Sequence, residues 1–310
     1  MNILHLKYAV EVEKTSSLNK AAENLFVSQP NLSRAVKELE ETLGITIFKR
    51  TSKGMFPTEQ GEEFLQQARG ILAHIAEVES IYSHDAQEEQ NFSVSVPRVS
   101  YIGDAFTRFV SSLDHSKHID IRYKETNSIK AVNSILQSDY RLAIIRFRCE
   151  FEPYFDTMLY EKGLVKKVVS EFSHNVLISG RNPLSQKEVL TSTDLEPLVQ
   201  LSHGDPYVPG MPISDVKKAE LDRKIEKRIC IYERASQFEL LSQMPDCYMM
   251  VSAVPEHILK KHGLKIVRSA EIIPYKDVLI HKKEYSLTSL DKRFLDFVTN
   301  SAKNLGLVKN

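Results

Sequence analysis

The sequence predicts two architectures in one chain: an all-helical winged helix-turn-helix domain at the N-terminus, then an α/β domain. Three observations carry this. Two short apolar-striped helices meet at Ser28-Gln29-Pro30; a basic stretch, Lys49 to Lys53, separates two apolar clusters; and from residue 92 onward strand-like and helix-like segments alternate.

The chain has 310 residues, 42% hydrophobic and 26% charged, which is length for two or three compact domains. No apolar run is long enough to span a membrane, and Met1 to Val12 interleaves apolar residues with Asn2, His5, Lys7 and Glu11, unlike an export signal. A cytosolic protein is expected. Basic and acidic residues balance at 41 each, so total charge does not advertise nucleic acid. Distribution says more: residues 1–57 carry two more basic than acidic side chains, and 58–90 carry seven more acidic than basic. Cys149, Cys230 and Cys247 form neither a CxxC pair nor an even framework, which argues against disulfides and zinc, although a Cys230–Cys247 approach would allow a redox switch.

The first helix, about Ile3 to Glu13, places Leu6, Ala9 and Val10 on one stripe. Ser17 is placed to cap a second, Leu18 to Leu25, whose buried face is Leu18, Ala21, Ala22 and Leu25. Ser28 is placed to cap a third that accepts Pro30 in its first turn and runs to Leu43, with Gly44 as its left-handed stop. Leu32, Ala35, Val36, Leu39 and Leu43 face inward, which turns Gln29, Ser33, Arg34 and Lys37 outward. An amide, a hydroxyl and a guanidinium on one exposed helix face suit the donor and acceptor pattern of a major groove; a solvated three-helix unit gives the same helical pattern. The basic turn tips the balance. Ile45, Ile47 and Phe48, then Lys49 to Gly54, then Met55 to Pro57 read as two strands of a wing, with Arg50 and Lys53 at its tip for phosphate or minor-groove contact. From Thr58 a long helix runs to about Ser83; Leu65, Ala68, Leu72, Ile75, Glu79 and Tyr82 form a seam for a second copy.

The run Ala21-Ala22, Leu25, Val27-Ser28-Gln29-Pro30, Leu32-Ser33, Leu39-Glu40, Leu43-Gly44, Phe48-Lys49-Arg50 and Pro57-Thr58-Glu59-Gln60-Gly61 resembles the N-terminal domain of LysR-type transcriptional regulators. The resemblance implies a homodimeric reader of double-stranded DNA, commonly a dimer of dimers, with a C-terminal domain that senses a small molecule. Carried over, it puts Ser28, Gln29, Pro30, Asn31, Ser33, Arg34 and Lys37 at the DNA, with Arg50 and Lys53 in the wing. Asn31 stands where the family often has Ala.

In the second half, Ser93–Val96, Ile119–Tyr123 and Leu142–Arg146 read as strands around helices near 103–113 and 129–138, which predicts a largely parallel sheet. Further strands are expected near 175–178, 198–201, 229–232, 248–251 and 275–281, with helices near 235–244 and 290–304. The pattern resembles the family's effector domain, a two-lobed, periplasmic-binding-protein-like fold. The expected division is 1–58 DNA-binding, 59–85 linker helix, 86–91 hinge, and 92–310 effector-binding, with lobe I at 92–165 and 270–310 and lobe II at 166–269. The resemblance sets crossing strands near Val165–Ser170 and Lys265–Ala270.

Ligands in open α/β sheets gather where strands end and helices begin. That selects Arg98, Ser100, Asn127, Ser128, Arg146, Ser202 and His203, with two arginines able to clamp an anionic effector. Serine and asparagine at such places are equally good helix caps, and either arginine can pair with an acid such as Glu125. Tyr248, in a stretch where the family has a glycine-containing turn, is expected to narrow the pocket. No P-loop, nucleophile elbow, HExxH or dinucleotide fingerprint is present, so no cofactor, metal site or enzymatic activity is expected. The alternatives are an oligomeric DNA-binding protein without an effector and, less favoured, an enzyme built on the α/β domain.

Overall fold

A computed structural model describes residues 2–51, 54–82, 89–137, 140–204 and 225–307, apart from the side chains of 73, 74, 76, 77 and 79–82. The chain forms two compact units, Met1–Glu88 and Glu89–Asn310.

In the first unit, α1 (Ile3–Thr15) starts where the Asn2 side chain accepts the Leu4 N–H, and α2 (Leu18–Asn24) starts where Ser17 accepts that of Lys20. The third helix, α3 (Gln29–Leu43), ends at Gly44 with φ 68°. There a side chain would strain the backbone, hence the glycine. Ser28 holds the cap position with extended backbone, but its hydroxyl makes no cap bond, contrary to expectation; Pro30, second in the helix, removes one of the two N–H groups such a hydroxyl accepts. The wing pairs β1 (Phe48–Thr51) with β2 (Gly54–Pro57), Phe48 opposite Pro57 and Arg50 opposite Met55. Lys49 and Arg50 therefore belong to a strand and not to the tip, and Lys53 lies outside the described residues.

The long helix α4 (Glu59–Tyr82) begins where Thr58 Oγ1 accepts the Gly61 N–H. Its seam divides. Leu65 and Ala68 are fully buried in the unit's own core with Leu6, Ala9, Leu32 and Leu39, and Leu72 packs against it, while Ile71 and Val78 are exposed. The domain's need to bury its apolar stripe claims the first turns, so the seam expected from Leu65 onward is not one continuous dimer face. Glu79 and Tyr82 lie outside the described side chains.

The second unit opens with β3 (Glu89–Val96), followed by α5 (Ser100–Ser111), β4 (His118–Glu125), α6 (Ser128–Leu136), β5 (Leu142–Arg148), α7 (Glu152–Glu161) and β6 (Leu164–Ser173). Then come β7 (Asn175–Ser179), β8 (Val189–Leu190), α8 (Ser192–Leu195), β9 (Val199–His203), β10 (Arg228–Ile231), α9 (Ala235–Gln243), β11 (Cys247–Val251), α10 (Glu256–His262), β12 (Leu264–Ser269), β13 (Pro274–Lys282) and α11 (Ser289–Asn304). Two sheets result, ordered β4-β3-β5-β13-β6 and β10-β9-β11-β7-β12-β8. Each defines a lobe. Both are largely parallel, as expected, with one strand reversed in each: β13 runs antiparallel to β5 and β6, and β7 antiparallel to β11 and β12. The chain leaves the first sheet after β6 and returns to it once, through β13, which enters from the opposite direction; the second sheet is visited once, and its reversed strand is the first to enter it, β7.

The crossings lie elsewhere than expected. Val165–Ser170 lies within β6, paired to β13, so the first crossing falls at His174 between β6 and β7. Lys265–Ser269 likewise stays in the second lobe's sheet, and the return lies between Ser269 and Pro274. Residues 166–173 thus belong to lobe I, and Glu89–Asn91, expected in the hinge, are paired in β3 with His118–Asp120. Both lobes are layered. In lobe I, α5 and α11 cover one face through Phe92, Phe109 and Phe294, and α6 and α7 cover the other through Ile145, Phe147 and Phe155.

Candidate DNA-reading surface and effector cleft

The inward residues of α3, Leu32, Ala35, Val36 and Leu39, are all buried, and this fixes the rotation of the helix. Ser28, Pro30, Asn31, Arg34 and Lys37 are consequently exposed, and Gln29 and Ser33 are half-buried. Among the described residues the side chains of Gln29, Asn31, Ser33 and Arg34 make no hydrogen bond or ion pair, while Lys37 lies 3.6 Å from Glu41 one turn on. The opposite side of α3 is tied to the wing: Glu40 Oε1 accepts the N–H of Ile47 (2.7 Å) and of Phe48 (3.1 Å). Lys49 and Arg50 are exposed on β1.

In the second unit a cavity of about 210 Å³ opens where β3, β5 and β11 end, between the lobes. Of the residues expected there, Arg98, Ser100, Asn127, Ser128, Arg146 and His203 line it; Ser202 and Tyr248 do not. Alternation along β9 explains the first exclusion, since neighbours in a strand face opposite ways. His203 faces the cavity, and Ser202 Oγ lies 3.8 Å from Cys230 Sγ. Tyr248 sits too early in β11 and is buried among Val176, Ile178 and Leu198. Cys230 and Cys247 stand on strands either side of β9, opposite Ser202 and Val199 respectively. That separation does not suit a disulfide, and all three cysteines are free.

Several lining residues are already engaged. Asn127 accepts the Lys130 N–H as the cap of α6, and Ser128 Oγ donates to the Arg146 carbonyl (2.7 Å) and accepts the Arg146 N–H (3.1 Å). Arg146 does not pair with Glu125. Its Nε and Nη2 each donate to Asp277 at 2.7 Å, Nη2 also reaches Ser252 Oγ at 3.2 Å, and the guanidinium lies 4.4 Å over the Phe172 ring. Asp277, wholly buried, further accepts the Tyr101 hydroxyl at 2.6 Å and that of Ser170 at 3.2 Å. Burial works against the charge on Arg146, but the charge of Asp277 and its hydrogen bond, with Tyr101 and Tyr275, together raise the pKa. The same burial, with Asp277 beside it, drives the Tyr101 pKa well up.

The rest of the lining was missed from sequence. Arg148 donates to the Tyr275 hydroxyl at 3.1 Å, and the His174 ring stacks on Tyr275 at 4.0 Å. Burial, then Arg146 and Arg148, holds the His174 pKa well below its usual 6.5, so the ring is neutral. Met249, Met250, Phe147 and Phe151 add apolar surface, and Gln237 and Ser252 close the far side. No aspartate or glutamate lines the cavity. One signal was available: a lone Asp277 beside Val278-Leu279-Ile280 in a buried strand needs a basic partner.

Residues 3–62 match the model of the bacterial regulatory helix-turn-helix proteins of the lysR family. A 210-residue match at 28% identity to the transcriptional regulator AlsR of Bacillus subtilis covers 65% of this chain and 65% of that protein. BudR of Raoultella terrigena is 22% identical, with 96% of this chain and 99% of BudR covered. Among solved structures, CbnR complexed with its target DNA is similar at TM-score 0.59 and 18% identity, covering 97% of this chain and all of CbnR. LysG of Corynebacterium glutamicum with bound effector Arg is similar at TM-score 0.58 and 15% identity, covering 98% and 99%. The named relatives are transcriptional regulators and not enzymes. Among the described residues no helix is long and apolar enough to cross a membrane.

Proposed function

We propose, for a chain that belongs to the LysR-type transcriptional regulators, that α3 reads a half-site in the major groove, α4 joins two copies, and a small anion in the interlobe cleft sets the outcome. The observation that carries this reading is the outward face of α3, where Gln29, Asn31, Ser33 and Arg34 have no partner among the described residues. Gln bonds bidentately to adenine and Arg to guanine. Ser28 adds a hydroxyl that no helix cap occupies, and Pro30 brings the first turn close to the duplex. Lys37, Arg50 and Lys53 supply phosphate contacts without sequence information.

Arg34→Ala tests this: operator binding is expected to weaken by about 1–3 kcal/mol with relaxed preference at one base position. An unchanged footprint and affinity would remove Arg34 from the reading surface.

A single domain with so slight an excess of positive charge binds one half-site weakly at physiological salt. Ile71 and Val78, exposed on α4 beyond the domain's core, supply apolar surface for a second copy, and two copies then read spaced half-sites as a homodimer or a dimer of dimers.

For the effector, the support is a cavity bounded by Arg98, Arg146 and Arg148 and by no acidic side chain. Arg146 is paired with Asp277 and Arg148 with Glu150, and the positive groups that the cavity gathers for a carboxylate or phosphate are these two arginines and Arg98, with His203 beside them. Ser100, Asn127 and Ser128 bring two helix N-termini to the same wall. A cavity of about 150 Å³ holds benzene, so this one suits a molecule of similar or slightly larger size. The full chain is expected to gain thermal stability from small carboxylates and not from their amides; a response to the amides alone would exclude an anion.

A further inference from the structure

The lobes of the second unit meet along a polar seam, and one contact in it is built with more care than the rest. Arg234, the residue before α9 in lobe II, donates from Nε to Glu125 Oε1 at 2.7 Å, at the end of β4 in lobe I. Its guanidinium lies on Gly103 of α5: a Cβ at that position would stand 2.6 Å from Nη2. Glu125 is held from the other side by the Tyr123 hydroxyl at 3.1 Å, and Tyr123 is stacked on Phe106 of α5 at 4.1 Å. The Tyr123 pKa is raised, by burial first and by Glu125 second, so this donor keeps its proton. Lobe I therefore presents a fixed carboxylate and a missing side chain, and lobe II presents the one group that fills both.

Each part of this contact adjoins the cavity. Glu125 directly precedes Thr126, Asn127 and Ser128; Gly103 lies one helical turn from Ser100; and Arg234 lies one turn before Gln237, and all of these neighbours line the cavity. Two other polar contacts between the lobes are looser: His257 to Asp104 at 3.3 Å, with the histidine mostly exposed, and Arg146 to Ser252 at 3.2 Å.

We propose that Arg234, seated on Gly103 and paired with Glu125, is a latch that holds the lobes closed over the cavity. Its regulatory meaning rests on the cleft being the effector site: an occupant that alters the spacing of α5, the β4 end and α9 makes or breaks the latch, and the latch in turn sets access to the cavity. Glycine at 103 is then required for the approach of a cation and not for backbone freedom.

Hydrogen exchange on the full chain without added ligand tests the latch by itself. Arg234→Gln removes the pair. Gly103→Ala keeps both charges and lifts the guanidinium off its seat, while alanine strengthens α5 as a helix, so any loosening cannot come from a weaker helix. Both variants are expected to exchange about tenfold faster in peptides covering 97–103, 126–130 and 234–238, with 142–147 in the core of lobe I unchanged. Unchanged exchange in both variants overturns the latch, and so does an equal acceleration at 142–147, which signals unfolding rather than opening. A rise confined to Arg234→Gln overturns the role of the Gly103 seat. Since no ligand enters the experiment, a cleft that binds nothing leaves this result intact, and a failed latch leaves the cleft reading standing.

Discussion

The outward face of α3 and the wall of the cleft are lined by similar residue types, and the fold treats them in opposite ways. On α3 the amide, hydroxyl and guanidinium groups of Gln29, Ser33 and Arg34 have no role in holding the domain together. In the cleft the hydroxyl of Ser128, the amide of Asn127 and the guanidinium of Arg146 are all engaged inside the protein. A polar group left unpaired on a well-packed helix is available to a partner. The same group paired at the head of a sheet is part of the scaffold, and the binding there falls to its neighbours.

Stability measurements can break this contrast. The largest effect is expected from Asp277→Ala, which leaves Arg146 buried without its carboxylate and should destabilise residues 89–310 by about 3–5 kcal/mol in urea. A loss below about 1 kcal/mol would mean that Arg146 is free to turn toward a ligand. Two serines then form a matched pair. Ser128→Ala should cost about 1–3 kcal/mol because the Arg146 N–H loses its acceptor, whereas Ser33→Ala should leave stability within about 0.5 kcal/mol and alter DNA binding alone. Equal effects would erase the distinction.

Acid sharpens it further. The folded pKa of His174 is depressed, so as pH falls below about 6.5 the unfolded chain takes up a proton that the folded chain resists. The stability of the second unit should therefore be complete above about pH 6.5 and decline below it, by up to about 1.4 kcal/mol per pH unit, and His174→Gln should flatten the profile. A decline that persists unaltered in the variant would assign it to other groups. The smallest effect concerns the turn before α3, where Phe26 is 96% exposed with φ 54°. Phe26→Asn places there a residue that tolerates this conformation and should raise the stability of the first unit by up to about 1 kcal/mol, seen as a higher melting temperature.

The first unit was legible in its sequence because local signals and global packing agree there. Ser17, Pro30 and Gly44 mark helix ends, and the apolar stripe of α3 alone determines which side chains face out. Where the reading failed, a longer-range demand prevailed. Leu65 and Ala68 fit a coiled-coil seam by spacing, yet the domain's own core takes them first. The second unit hides more, since its chain crosses twice between sheets and no local pattern reports that β13 will lie antiparallel beside β5. The partner of Arg146 is 131 residues away in sequence, beyond any periodicity. The places where strands end were still enough to locate six of the eight expected lining residues, because position at a strand's end is a local property.

Glu40 has a consequence for the DNA itself. One carboxylate oxygen ties the back of α3 to the two residues that open the wing, so the helix and the hairpin move as one piece. If α3 and the wing meet DNA as proposed, such a piece is a gauge: it tests whether the floor of one groove and the rim of the next lie a set distance apart. Duplexes that already have that spacing bind without distortion, and others must bend or twist to match it, at a cost set by their base steps. Selectivity would then extend to base pairs that no side chain touches.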